Sequence, residues 1–413
     1  MSSATDSQTA THTCDRYSAI FSGSVLYTMS MIVPFTIPVL MGLVAEQWKV
    51  TGIQLGLWAA LFSLGLGIVA ISSCIWVRRV NWKKCTLAGL ILIGVSIGLH
   101  SIATNFAQLL ILMFLAGCGA GLASAPTITA LGDSSNPQRN FGIMIFMTVV
   151  IPALIIGAIA LAASHGGYAG SFLMVASFVL VSSILVIILP SSGKMKSSST
   201  QQERVRELIG SMVSDTRVLM AMSSMLIFVM GFMGAWSFFE RIGNQSGLEQ
   251  EPMLIGIALG QLIGGLGGFL AIWIGRYLGL RWSFLVAISV VIATLLSMEI
   301  IGVTLIVYIV IVSIFMLWIN VNFSNIMSFT ASIDHQGRFV SMLPGFQALG
   351  SFIGSIVAGV AFEMSGRTGV VVTSVIAFLI CAICMLKAFQ LSSKNELKLQ
   401  PCLLYTSPSP RDS

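Results

Sequence analysis

Residues 75–84 read IWVRRVNWKK, and residues 272–281 read IWIGRYLGLR. Each stretch stands where an apolar segment gives way to a short basic one, and Arg276 follows Arg79 by 197 positions. A match at a long, fixed spacing is the signature of an internal repeat. We therefore expect the second half of the chain to repeat the first.

A second pair of segments supports the repeat. Asp133 and Arg139 lie between two apolar segments of the first half, and Asp334 and Arg338 lie between two of the second. These two arginines are 199 positions apart, which is nearly the same spacing. The two matches together predict duplicated bundles related in parallel, an arrangement known from one large class of transporters.

The composition excludes a soluble globular protein. Of 413 residues, 56% are hydrophobic and 9% are charged, whereas an ordinary soluble domain has roughly 25% charged residues. A transmembrane helix needs about 20 apolar residues, so the length leaves room for roughly a dozen spans. In a soluble protein the net charge of +6 would suggest nucleic acid as a partner, but here its placement in the loops matters more. We expect the partners to be the lipid bilayer and a small molecule, and not nucleic acid.

Hydropathy predicts an all-α integral membrane fold of twelve transmembrane helices. The six spans of the first half are near 17–44, 52–77, 85–102, 107–131, 140–163 and 169–189, and those of the second half are near 217–240, 251–275, 283–298, 303–331, 339–363 and 369–388. The predicted division is a tail (1–16), a first six-helix bundle (17–189), a central loop (190–216), a second six-helix bundle (217–388) and a tail (389–401). Residues 402–413 resemble the translation of a sequencing adaptor, and we exclude them from the fold.

The basic residues predict the orientation. One side of the twelve-span arrangement carries 18 of the 21 lysines and arginines, whereas the other carries only Lys49, Arg241 and Arg367. By the positive-inside rule, we expect both termini and the central loop to be cytoplasmic. Residues 1–16 lack the basic and apolar regions of a cleaved signal peptide. The expectation is a multi-pass protein of the cell (inner) membrane.

With this layout the chain resembles the major facilitator superfamily over residues 17–390. The six-plus-six spans, the long central loop and the basic loops after spans 2 and 8 carry the resemblance. The superfamily pattern G-x-L-x-D-R-x-G-R-R keeps its basic end at Lys83 and Lys84, but Arg79 and Arg276 stand at its acidic position in the two halves. The span 5 pattern of drug antiporters is missing, so no subfamily is assigned. The resemblance implies two pseudo-symmetric six-helix bundles, alternating access, and a substrate cavity between spans 1, 4, 7 and 10.

Polar side chains on those four spans are the candidates for the cavity, because polar groups at membrane depth are costly unless they face protein or water. They are Tyr27 and Ser30 on span 1, Ser124 and Thr127 on span 4, Trp236 on span 7, and Trp318, Asn322 and Asn325 on one face of span 10. Pro34 and Pro38 are expected to free carbonyl groups and to bend span 1. The alternative for the polar side chains is hydrogen bonding between helices, and the alternative for Trp236 is the aromatic belt at the membrane interface.

The carboxylates lie away from the predicted midplane. Glu46, Glu240, Glu299 and Glu363 all fall near the outer ends of their spans. Glu240 is the best candidate for a proton-coupling site, with Arg241 as its nearest possible partner. An interfacial ion pair is the alternative for Glu240.

The repeated arginines and aspartates suggest a gate. If the two halves close on the cytoplasmic side, Arg79 can meet Asp334 and Arg276 can meet Asp133 across the pseudo-two-fold axis. These pairs would stabilise the outward-open state.

The sequence therefore predicts a secondary active transporter or facilitator of a small organic solute, and not an enzyme. A cavity with few charges favours a neutral or weakly charged solute that is partly apolar or aromatic, and protons are the coupling ion to test. The alternative is a transporter-like membrane sensor or lipid-handling protein without solute transport. The scattered cysteines and histidines predict no metal site or cofactor, and we expect a monomer. A glycine stripe on span 8 predicts close helix packing, and it consists of Gly256, Gly260, Gly264 and Gly268.

Overall fold

A computed structural model describes residues 13–134, 137–192, 215–301, 303–333 and 343–403. The described chain is helical. Its α-helices are α1 (Tyr17–Ser30), α2 (Ile32–Trp48), α3 (Gly52–Trp76), α4 (Trp82–Leu99), α5 (Phe106–Gly132), α6 (Pro137–Ser182), α7 (Thr216–Gln245), α8 (Gln250–Gly264), α9 (Gly267–Ile300), α10 (Leu305–Ile333) and α11 (Leu343–Leu403). Short 3₁₀ helices cover Thr13–Asp15, His100–Ile102 and Ser183–Ile187. Within the described ranges, nine helical segments are long and apolar enough to cross a membrane.

Three of the long helices each contain two helices joined at a glycine. Gly167 in α6, Gly279 in α9 and Gly366 in α11 have φ values of 57°, 73° and 57°. This left-handed region is open to glycine but costs other residues free energy. The 46 residues of α6 would extend about 69 Å at 1.5 Å per residue, more than twice the roughly 30 Å hydrocarbon thickness. The break at Gly167 separates the predicted spans 140–163 and 169–189.

The first predicted span is also divided, between α1 and α2. Met31 separates them, because Pro34 lacks the N–H that would bond to the Ser30 carbonyl and its ring crowds that carbonyl. Pro38 lies inside α2 and leaves the Pro34 carbonyl without its own helical donor. The predicted freeing of carbonyl groups in span 1 is therefore confirmed.

The predicted span 251–275 contains a local irregularity. Helix α8 ends at Gly264 and α9 begins at Gly267, and the two residues between them keep right-handed helical dihedral angles. Four glycines within residues 264–268 weaken a helix, since each costs about 1 kcal/mol relative to alanine. The predicted glycine stripe packs against α10 at Gly256, Gly260 and Gly264, whereas no atom lies within 4 Å of the Cβ position of Gly268, so its inclusion in the stripe is wrong.

The second half begins at a capped helix. The Asp215 carboxylate accepts a hydrogen bond from the Arg217 backbone N–H at 2.9 Å at the start of α7. The Arg217 guanidinium also donates to this carboxylate and lowers the pKa of Asp215 below its ordinary value. The start of α7 lies within one residue of the predicted boundary at 217.

Helices of the first half (13–192) contact helices of the second half (215–403) along three seams. These are α3 against α11, α6 against α8, and α2 against α7. On the first seam, Ser63 and Ser351 share a hydrogen bond of 2.7 Å between their hydroxyl groups. We call the end of the bundle at which α2 passes into α3 the far end, and there the Glu363 carboxylate accepts from the Gly52 N–H.

Candidate functional site

At the seam between α2 and α7, the predicted cavity residue Trp236 contacts the proline-containing part of the first span. Trp236 is 1% exposed, so its alternative assignment to an exposed aromatic belt is wrong. Its indole N–H donates to the Pro34 carbonyl at 3.2 Å. That carbonyl is available because Pro38, four residues on, has no N–H to offer. A backbone irregularity in the first half is thus stabilised by a side chain of the second half.

Glu240 lies one helical turn beyond Trp236 on α7, and its side chain is fully buried. Its carboxyl group occupies the space beside Gly42 of α2, where a Cβ atom would overlap with it. Neither carboxyl oxygen has a hydrogen-bond partner. The absence of a side chain at Gly42 makes room for an acid of the opposite half at this seam.

The neighbours of Glu240 do not neutralise it. The ion pair with Arg241 that the sequence left open is not formed, since both carboxyl oxygens and the Arg241 Nε lack partners. The Tyr308 hydroxyl, also buried, donates to the Phe239 carbonyl at 3.0 Å. An ionised carboxylate in this position would be desolvated without a hydrogen bond or ion pair, which is costly, whereas a protonated acid carries no charge.

Two other carboxylates near the far end have close partners. Glu299 accepts from Arg367 at 3.0 Å and from Thr368 at 2.8 Å, and Glu363 accepts from the N-terminus of α3. Among the side chains that the structure describes, Glu240 is the one fully buried carboxyl group. This isolation distinguishes Glu240 from the acids that serve structural roles.

A polar cleft opens at the far end beside this seam. Its volume is about 170 Å³. It is lined by Leu43, Glu46, Gln47, Ala163, Gly167, Tyr168 and Gln250. Glu46 is exposed there and accepts a hydrogen bond from the Gln250 amide at 3.4 Å. The sequence did not indicate that Glu46 and Gln250, 204 positions apart, would share one cleft.

The predicted polar stripe on α10 is divided between two environments. Asn325 and Ser283 exchange hydrogen bonds of 3.0 and 3.2 Å between α10 and α9, which is the interhelical bonding that the sequence left as the alternative. Asn322 is fully buried; its amide donates to the Trp318 carbonyl at 3.2 Å, and its Oδ1 has no partner. The Trp318 ring packs against small side chains of α9 and α10. Asn322 is therefore the member of the stripe with an unused polar atom.

The hydroxyl candidates of α1 and α5 bond to their own helices. Ser30 donates to the Tyr27 carbonyl at 2.6 Å, and the Tyr27 ring is half-buried. Thr127 donates to the Ser124 carbonyl at 2.9 Å, while Ser124 makes a longer bond of 3.4 Å to Gly121. These four residues lie on helices of the first half, and their site role stays a prediction.

Of the two predicted gate pairs, the structure describes both members of one, Asp133 and Arg276, and these two side chains form no ion pair. Asp133 accepts from Arg78 at 2.9 Å, within the first half. Arg79 and Arg276 are exposed, and Asp334 lies outside the described residues. The sequence did not single out Arg78, because Arg78 and Arg79 are adjacent and equally basic.

Comparison with known proteins identifies similar folds. The family model described as Major Facilitator Superfamily matches residues 20–333. No curated protein sequence matches the chain significantly. A bacterial homolog of the human lysosomal transporter Spinster, solved in an inward-facing and unoccupied conformation, is 16% identical with a TM-score of 0.71, and the alignment covers 90% of this chain and 96% of that one.

Two further solved structures are similar. The same Spinster homolog in an inward-facing and occupied conformation has a TM-score of 0.72 at 15% identity, with 90% of this chain and 96% of that chain covered. A mutant of the nucleoside transporter NupG has a TM-score of 0.68 at 10% identity, with 90% and 99% covered. At these identities the likeness concerns the fold.

Proposed function

The chain belongs to the major facilitator superfamily, and we propose that it moves a small organic solute across the cell (inner) membrane by alternating access. It is a multi-pass membrane protein of a transport family. The proposed mechanism is secondary active transport coupled to protons, with Glu240 as the coupling residue. The buried, unpartnered carboxyl group of Glu240 on the seam between the two halves is the observation that carries this proposal.

The proposed architecture has twelve spans in two six-helix bundles. Gly167, Gly279 and Gly366 each divide one of the nine apolar segments, and the short piece before Gly279 completes a span together with α8, which gives twelve spans. The distribution of basic residues supports cytoplasmic termini, and the far end is then the outer side.

Glu240 suits a coupling role because its environment depends on contact between the halves. In this structure α2 packs against α7, and the Glu240 carboxyl group is buried. Separation of α2 from α7 at the far end would expose the acid to water, where an ionised carboxylate is well solvated. Proton binding and closure of the far end are therefore linked, and each favours the other.

The substrate is proposed to be neutral or weakly charged and partly apolar or aromatic. Asn322 carries a buried oxygen without a partner, and an amide suits such a solute better than a phosphate or a sugar acid. Such polar groups in a transmembrane region commonly mark a substrate pathway.

The gate is proposed for the opposite conformation. In this structure Asp133 pairs with Arg78. When the side of the protein that carries the chain termini closes, Asp133 would pair with Arg276 instead, and Arg79 would meet Asp334. Charge reversal of both members of one predicted pair should restore the closure that either single reversal loosens, measured as labelling of the cytoplasmic vestibule. Independent effects would exclude the gate.

A solute screen tests the transport proposal. Purified protein is screened by thermal shift against neutral and weakly charged organic solutes, with Asn322→Ala and Glu240→Gln in parallel. Solutes that stabilise the wild type are then tested for counterflow in proteoliposomes. We expect accelerated exchange of at least one solute and a weaker shift in Asn322→Ala. No exchange with any stabilising solute would favour the alternative, a sensor or lipid-handling protein, and unchanged ligand shifts in both variants would exclude the proposed site.

A further inference from the structure

The far-end cleft is lined in part by α2, the helix whose Gly42 lies against the carboxyl group of the buried acid. Its volume of about 170 Å³ has room for several water molecules. Glu46 lines this cleft, whereas Glu240 has no exposed surface of its own. In this conformation a proton therefore needs a neighbouring group to travel between the cleft and Glu240.

Helix geometry places Glu46 and Glu240 close together. The Glu240 carboxyl group stands where a side chain of Gly42 would begin. Glu46 follows Gly42 by four residues on α2, and positions i and i+4 share one helical face about 5–6 Å apart. The two acids, one from each half of the chain, thus lie within about one helical turn.

Glu46 has the freedom that a proton carrier requires. Its carboxylate accepts a long hydrogen bond of 3.4 Å from the neutral Gln250 amide. Within the described ranges, no basic group lies within 4.0 Å of this carboxylate. The other titratable groups around Glu240 are Arg241, which forms no ion pair with it, and Tyr308, whose hydroxyl is committed to a backbone carbonyl.

We propose that Glu46 is the proton relay between the far-end cleft and Glu240. This inference rests on the proposed coupling role of Glu240. Protonated Glu46 gives up its O–H proton, directly or through a cleft water, and an O–H bond forms on the Glu240 carboxylate. Glu46 is left ionised and is reprotonated by a hydronium ion that reaches it from the outer solution through the cleft water. The reverse sequence releases the proton.

Infrared difference spectroscopy tests the relay without a transported solute. The carboxylic acid C=O band of wild-type protein in lipid is assigned by its loss in Glu240→Gln. The rate at which this band shifts after transfer to D₂O then reports proton exchange at Glu240. Glu251→Gln is the matched control, because Glu251 is an exposed acid on the first turn of α8 that does not line the cleft.

We expect Glu46→Gln to keep the band but to slow its exchange by about 100-fold, the low end of what a positioned proton donor contributes. Glu251→Gln should exchange like the wild type. In Glu46→Ala, added formate should enter the vacated cleft and restore fast exchange. Wild-type rates in Glu46→Gln, or slowing that formate does not relieve, would overturn the relay. A wild-type spectrum without the Glu240 band would overturn the coupling role itself and the relay with it.

Discussion

Gly56 in α3 lies so close to the backbone of α11 that even a methyl group does not fit between the two helices. A Cβ atom on Gly56 would overlap with the Ser355 carbonyl and would lie 2.9 Å from the Gly359 Cα, whereas ordinary contact begins at about 3.4 Å. The obstructing atoms belong to the backbone of the opposite half, so a side-chain rotation cannot relieve the overlap. The substitution Gly56→Ala must therefore push α3 and α11 apart by at least about 0.5 Å.

Overpacking of this kind costs about 1–3 kcal/mol. The cost falls on the contact between the halves, so it should favour the conformation in which the far end opens, by roughly 5- to 150-fold in the population ratio. Spin labels at Lys49→Cys and Asn244→Cys, in a background without native cysteines, report this opening by electron–electron distance measurement. Both positions are exposed at the far end, one in each half.

Gly268→Ala is the matched control, because no atom lies within 4 Å of the Cβ position of this helical glycine. We expect its distance distribution to coincide with that of the parent. The double variant Gly56→Ala/Gly359→Ala should cost less than the sum of the single variants, because Gly359 meets the same contact from the other side. If Gly56→Ala behaves like Gly268→Ala, the close seam between α3 and α11 is refuted.

Three other substitutions test the polar side chains of the candidate site. Trp236→Phe removes the donor to the Pro34 carbonyl. The loss of about 1 kcal/mol should increase the population with an open far end about fivefold in the same spin-label assay. An unchanged distance distribution would show that this hydrogen bond is not specific to the closed far end. Asn325→Ala breaks the pair with Ser283 and should lower stability by about 0.6 kcal/mol, the average for interhelical bonds in membranes, without changing solute affinity in the thermal-shift screen. Asn322→Ala should reduce that affinity, and equal effects of the two asparagine variants would show that the stripe acts as one surface.

Much of the helical layout could be predicted from the sequence, because membrane spans are specified locally. The apolar length sets each span, and the breaks follow from residues whose backbone chemistry is intrinsic. Pro34 and Pro38 interrupt hydrogen bonding, and Gly167 and Gly366 adopt left-handed φ values at predicted junctions. The interruption at Gly265 and Leu266 is the exception, because the surrounding glycines also fit a packing stripe and hydropathy does not indicate a break there.

The candidate site could be predicted only in part, because its contacts join residues far apart in the chain. The sequence favoured Glu240 and Trp236, but their partners Gly42 and Pro34 lie about 200 positions away. Hydropathy does not identify which glycine provides space for an acid. For the same reason the sequence could not decide whether Asn325 faces a cavity or another helix.

The predicted gate shows a different limit. Adjacent arginines are equivalent in charge pattern, and the structure selects Arg78 for Asp133. Helix rotation at the end of α3 determines which of the two side chains reaches α5. The repeat at 197 positions singled out Arg79, which aligns with Arg276, and it gave no indication that Arg78 would bind Asp133.

Proton-driven accumulation of a solute identified by counterflow tests the central claim most directly. Proteoliposomes with an acidic exterior are compared for wild type and Glu240→Gln, with Glu251→Gln as the matched control. We predict that wild type and Glu251→Gln accumulate the solute above its external concentration. Glu240→Gln should retain counterflow exchange and lose accumulation, because a neutral amide preserves the closed seam but carries no proton. Accumulation by Glu240→Gln at the wild-type level would contradict the assignment of Glu240 as the coupling residue.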